Sequence, residues 1–236
     1  MTETPRLSLP LLAPSQAQKH VTVNEALARI DALAHLTLVS ISQTAPPAAV
    51  AEGDLFAVPP GGAEGWVGQD GKLAMMLNGG WVFVPPKRGW RAMVLDQGAQ
   101  AIWDGAEWRL GAITLAPSGA GVAMTSQDVD VPLTPGASVT TPVVIAPRAI
   151  VFGVTGRVVD PIIGTATHWD LGVAGDAGRF GTGLGLPLNS WVNGPAAPIV
   201  YWDPTALVIT ARGGVFAGGM VRLTLHCAHL GLPMAV

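Results

Sequence analysis

The residues best able to do chemistry lie between His168 and Asp203. Trp169, Trp191, Tyr201 and Trp202 stand in or beside turn-rich segments, with Asp170, Asn189, Asn193 and Asp203 as neighbours. Flat aromatic rings stack on the C–H faces of sugars, while carboxylates and amides take up the hydroxyls, so half-wet aromatics suit such sites. This set points to carbohydrate recognition. Tryptophan is also mostly buried on average, so each ring has a competing place in the core or an interface. Gly175 to Gly185, GDAGRFGTGLG, superficially suggests a phosphate-cradling loop. It lacks the Gly-Lys-Ser/Thr ending, and Pro187 stands where a helix would have to begin, which argues against nucleotide binding. The plainer reading is a surface loop that uses glycine for tight backbone paths. Asp176 and Arg179 are then further polar contacts for a sugar.

Catalytic constellations are wanting. No G-x-S-x-G elbow occurs. A glycosidase needs two carboxylates at a set separation. Asp160, Asp170, Asp176 and Asp203 are available, but spacing alone brings no pair together. His226 and His229 are three apart in a strand and face opposite sides, so they do not share a metal. His168 to Asp170 is a lone triplet without the ligand spacing of known metal sites. We expect no enzyme, no metal and no cofactor. Cys227, the single cysteine, has no intrachain partner and reads as a small buried hydrophobe.

Charged residues make up only 12% of the 236, against 49% hydrophobic. That is about half the usual charged share. A monomer needs a charged coat, so apolar surface is expected to lie between subunits of a homo-oligomer. No run of apolar residues is long enough for a membrane helix. Pro5, Pro10 and Pro14 break the N-terminus, which does not read as a secretory signal. The net charge of −3 argues against nucleic acid.

These residues must be positioned by a mainly β fold. Residues 1–45 read as an extended arm and a helix. Thr22 and Glu25 have capping-box spacing, and Val23, Leu27, Ile30 and Ala34 form a narrow apolar stripe. A helix of roughly three turns is marginal alone and needs a partner. The arm is expected to dock on a neighbour or stay mobile, and HLTLVSIS (35–42) alternates as a strand. Residues 46–111 read as a small Trp-rich β module, with strands in DLFAV, GWVG, KLAMML, GGWVFVP, WRAMVL, AQAIWD and AEWRL, separated by Asp-Gly and Asn-Gly turns. Trp66, Trp81, Trp90, Trp103 and Trp108 are its expected core anchors. A small-residue border follows at 112–121. Residues 122–236 read as a jelly-roll-like β-sandwich with a long loop from Ala174 to Asp203. In its last strand, Val221, Leu223, Leu225 and Cys227 share one face, and Arg222, Thr224 and His226 the other.

Residues 11–33, LLAPSQAQKHVTVNEALARIDAL, closely resemble the N-terminal signature of a family known only as a domain of unknown function, found in alphaproteobacterial prophages and gene transfer agents. The likeness continues from GDLFAVPPGG to about Leu110. LGVAGDAGRFGTGLGLPLNSW and ALVITARGGVFAGGMVRLTLHCAHL look like the tail that accompanies it. The resemblance implies a tail-fibre or head-spike protein of a phage-like particle, at the particle surface and made in the cytoplasm. Its expected partners are other particle proteins through the arm, with Val23, Leu27 and Ile30 as anchors, a cell-surface glycan, and copies of itself, a trimer before a pentamer. The alternatives are a capsule- or wall-degrading glycosidase and a purely structural assembly protein.

Overall fold

A computed structural model describes residues 3–13 and 19–233. The chain forms two compact units, Met1–Gly119 and Ala120–Val236, with the border inside the expected small-residue segment.

The first unit contains α1 (Lys19–Leu33), β1 (Thr37–Leu38), β2 (Leu55–Ala57), a 3-10 turn (Glu64–Trp66), β3 (Leu73–Leu77), β4 (Gly80–Val84), β5 (Arg91–Val94), β6 (Ala99–Trp103) and β7 (Trp108–Leu110). Sheet β2-β3-β4 is antiparallel, and sheet β1-β5-β6-β7 is antiparallel except where β1 meets β5. Strand alternation sends Leu55, Ala57, Leu73 and Met75 into one cluster with Ala32, Leu36 and Leu38. Phe56 and Ala74 point the other way, against Val58 and Trp66. The helix end and the Trp-rich strands thus share a core.

Three expectations change here. GWVG is no strand: Trp66 closes a 3-10 turn and is fully buried, with its ring centroid 5.4 Å from Phe56 and 5.3 Å from Trp81. Sealing the second face of a three-stranded sheet with one indole outweighs the local β preference. The helix begins at Lys19, so Thr22 and Glu25 lie inside it and form no capping box. Residues 3–13 dock on the chain's own helix. Buried Asp31 accepts hydrogen bonds from Thr4 Oγ1 and Leu7 N, both at 2.6 Å, and from Arg6 N at 3.1 Å. The Arg6 guanidinium donates to the Ala32 and His35 carbonyls at the helix C-terminal end, where unpaired carbonyls favour a cation. Asn24 pairs both ways with the Leu12 backbone. Residues 1–2 and 14–18, also part of the expected arm, lie outside the described residues. The predicted stripe does not face this core: Val23 and Ile30 are exposed and Leu27 is half-buried.

The second unit contains β8 (Gly121–Pro132), β9 (Ser138–Ile145), β10 (Ala149–Gly164), β11 (His168–Val173), β12 (Asp176–Leu184), β13 (Trp191–Tyr201), β14 (Thr205–Arg212) and β15 (Phe216–Gly231). They make two four-stranded antiparallel sheets, β13-β10-β15-β8 and β12-β11-β14-β9. These are the two sheet orders of an eight-stranded jelly roll, with every connection passing between the sheets except the β11–β12 hairpin. One core fills the space between them, with Val154, Val158, Leu223 and Leu225 from the first sheet and Trp169, Leu171, Leu207 and Ile209 from the second.

The expected loop from Ala174 to Asp203 is instead two strands, β12 and β13, joined by a turn. Glycine and proline mask them in the sequence. Gly194 sits where β13 passes against β12, and a Cβ there would overlap the Phe180 carbonyl oxygen. Pro195 and Pro198 are tolerated because β13 is an edge strand.

Candidate functional site

The antiparallel registers put connections 146–148, 174–175 and 202–204 at one end of the sandwich, and 133–137, 165–167, 185–190 and 213–215 at the other. This divides the candidate residues. Tyr201, Trp202, Asp203 and Asp176 belong to the first end. Trp191 opens β13 at the second, about 35 Å away along the strand. The expected aromatic set therefore does not form one site.

Two members belong to the structure of the fold itself. Trp169 is 1% exposed in the core, and its Nε1 donates to the Gly185 carbonyl at 2.8 Å. Asp170 is buried and its carboxylate is fully engaged, receiving Gly183 N at 2.8 Å and Arg212 Nε at 2.5 Å. Neither is open to a ligand. Asp176 is exposed and lies 3.8 Å from Arg179, three residues further along β12. Tyr201 is half-buried against the core. Trp202 is 72% exposed, on the turn it shares with Asp203.

Trp191, 65% exposed, is placed differently. It borders a cleft of about 460 Å³ on the outer face of the β13-β10-β15-β8 sheet, together with Thr155, Arg157, Asn193, Arg222 and Thr224. Register explains the assembly. Trp191 pairs with Arg157, Arg157 with Arg222, and Arg222 with Asp130, which makes one row across four strands. Asn193, Thr155, Thr224 and Asp128 make the next row, and His226 and Ser126 lie in a third. Inward alternation buries Val192, Leu223 and Leu225, and outward alternation leaves this polar face to solvent.

The face is internally ordered. Arg222 binds Asp130 with two parallel contacts of 2.7 Å, Nε to Oδ1 and Nη2 to Oδ2. Hydrogen bonding to Arg222 holds the Asp130 carboxyl below its ordinary value, and the same bond raises Arg222. Thr224 Oγ1 donates to Asp128 at 2.7 Å. His226 spans three strands, with Nδ1 2.9 Å from Ser126 Oγ and Nε2 2.8 Å from Thr155 Oγ1. Arg157 makes one long contact, Nη1 to the Asn189 carbonyl at 3.3 Å.

Sequence reasoning separated Arg222, Thr224 and His226 from the apolar face of their strand but did not join them to Trp191. Asn193 was already a neighbour of Trp191 in the sequence, but Arg157 carried no signal of its own. The usable signal was strand alternation, but it needed the three-strand register. Among the described residues, no three of His, Cys, Asp and Glu group as metal ligands would, and no helix is long and apolar enough to cross a membrane.

Comparison with known proteins adds the following. No curated protein matches the chain. Among solved structures, the cyanophage Pam1 capsid asymmetric unit is similar at 21% identity, over 48% of this chain and 86% of that one, with a TM-score of 0.32. A score that low carries no statement about shared fold or role. Residues 23–109, most of the first unit, match a family described as a protein of unknown function (DUF2793).

Proposed function

We propose that this protein is a structural fibre or spike component of a phage-like particle, and that its second unit attaches the particle to a cell-surface polysaccharide. The observation that carries the attachment reading is the outer sheet face at Trp191. There an exposed indole stands beside a shallow cleft edged by Asn193 and two arginines. A sugar ring stacked on Trp191 with its hydroxyls on Asn193 suits that arrangement. The likeness of residues 11–33 to proteins of prophages and gene transfer agents supports the location.

The reading is of a binding protein and not an enzyme. Asp170, one of the carboxylates a glycosidase could have used, is tied to Arg212 and Gly183. An oligomer is part of the proposal, with α1 as the anchoring element. Val23 and Ile30 leave an apolar stripe uncovered on the helix, and weak single sites gain from repetition on a symmetric particle. The test is a screen of the full chain against bacterial polysaccharides, followed by sizing of the bound polymer. Binding without shortening is expected. Shortening would favour a depolymerase, and failure to bind any polysaccharide would leave only an assembly role.

A further inference from the structure

Resting on that attachment reading, we infer that the Trp191 cleft takes an acidic saccharide, whose anionic group sits on Arg157. Arg157 and Arg222 are directly opposed on β10 and β15, with both side chains on the outer face. Like charges directly opposite one another destabilise a sheet. Asp130, paired with Arg222 on the far side, neutralises that arginine through a two-point contact. It offers nothing to Arg157, one strand further away.

Among the described residues, Arg157 has no carboxylate partner. Its only hydrogen bond is the 3.3 Å contact to the Asn189 carbonyl. Asp128, one row along on β8, receives the Thr224 hydroxyl. The face therefore grades from acid at β8 to an unbalanced guanidinium beside an exposed indole at β13. Guanidinium presents planar paired donors, which match a carboxylate, sulfate or phosphate. Trp191 is its cross-strand neighbour on one side, and Asn193 follows two residues later on the same face. A neutral sugar would use the ring and the amide and leave the guanidinium unmatched. An acidic sugar uses all three.

The experiment measures binding of the full chain to three probes: an oligogalacturonate, the same oligomer with its carboxyls reduced to alcohols, and a sulfated neutral oligosaccharide. The expected result is at least tenfold tighter binding of one or both anionic probes than of the reduced oligomer. Comparison of the two anionic probes tells carboxylate from sulfate. Arg157→Gln should abolish that preference, Arg157→Lys should keep part of it, and Trp202→Ala should leave it unchanged. Thermal melting supplies a readout independent of ligand. At low salt Arg157→Gln should melt no lower than the parent, because it removes a like-charge contact. Equal binding of the reduced and anionic oligomers overturns the acidic assignment and leaves the attachment reading standing. No binding of any probe or of any polysaccharide in the wider screen overturns both. A preference that survives Arg157→Gln overturns the assignment to this residue.

Discussion

At the scale of single residues, the polar side chains that matter most to the fold are carboxylates turned inward. Asp104 is buried in the β6–β7 hairpin, where it accepts hydrogen bonds from Ala106 N and Glu107 N at 2.8 Å and from Arg109 Nε at 2.6 Å. Burial alone would raise its pKa. The bonds from the Glu107 and Ala106 amides and from Arg109 outweigh that and hold it below the ordinary 3.8. A depressed folded-state pKa contributes stability above the unfolded value, and that contribution is lost as pH falls through the folded one. The first unit should therefore lose stability in acid below about pH 4. Asp104→Asn should flatten that part of a melting-temperature profile. Asp31 plays a comparable part for the arm. Asp31→Ala should destabilise the first unit by about 2–4 kcal/mol, since three donors lose a charged acceptor. Faster tryptic cleavage after Arg6 would report the released arm. Cleavage at the parent rate would show that the arm is held by other contacts. The residue scale also bears on attachment. Trp191→Ala should weaken saccharide binding tenfold or more, by about 1.4 kcal/mol or above, with the fold retained because the ring is mostly in solvent.

At the scale of elements, the helix and strand β13 are the informative ones. The apolar stripe of α1 was legible in the sequence, but its direction was not. Asp31 and Ala32 turn inward, while Val23 and Ile30 turn outward, because the arm needs Asp31 as its acceptor. If the oligomer proposal holds, the outward stripe predicts that Ile30→Glu lowers the mass measured by light scattering and leaves the melting of the first unit within about 0.5 kcal/mol. An unchanged mass would remove α1 from the assembly surface. β13 was hidden by the residues that make it possible. Gly194 reads as a loop residue, yet it is there because the two sheets close on each other at this edge. Gly194→Val should cost the second unit about 2 kcal/mol or more, since the obstacle is the Phe180 backbone and not a movable side chain. Near-parent stability in denaturant would mean that the sheet edges can separate there.

At the scale of the whole molecule, two cores of different make stand on one chain. The first unit packs a helix end and a Trp cluster onto the two faces of a three-stranded sheet. The second fills a jelly roll with aliphatic side chains around Trp169, Phe180 and Phe216. The outer face of its β8–β15 pair is divided along its length. Val122, Met124 and Leu230 lie exposed at one end, and the polar rows with Asp128 and Asp130 at the other. On that strand pair the charged residues are gathered at one end, which suits an apolar end covered by another subunit. If the attachment proposal holds, particles carrying the chain without residues 120–236 should assemble and fail to adsorb to cells. Normal adsorption would place recognition elsewhere.

The sequence by itself determined the β class, a short N-terminal helix and most of the described strands. These follow from periodicity and turn chemistry, which act over a few residues. It also determined which residues of the last strand face outward, since a strand alternates whatever it pairs with. Only the tertiary structure decided that Trp66 plugs a core from a 3-10 turn, that Trp169 and Asp170 are internal, and that a Gly- and Pro-rich stretch forms two strands. Those outcomes depend on what lies across a sheet or against its far face. The candidate site belongs to this second kind. Arg157, Trp191 and Arg222 are far apart in the chain, and the register of three strands alone sets an unbalanced guanidinium beside an exposed indole.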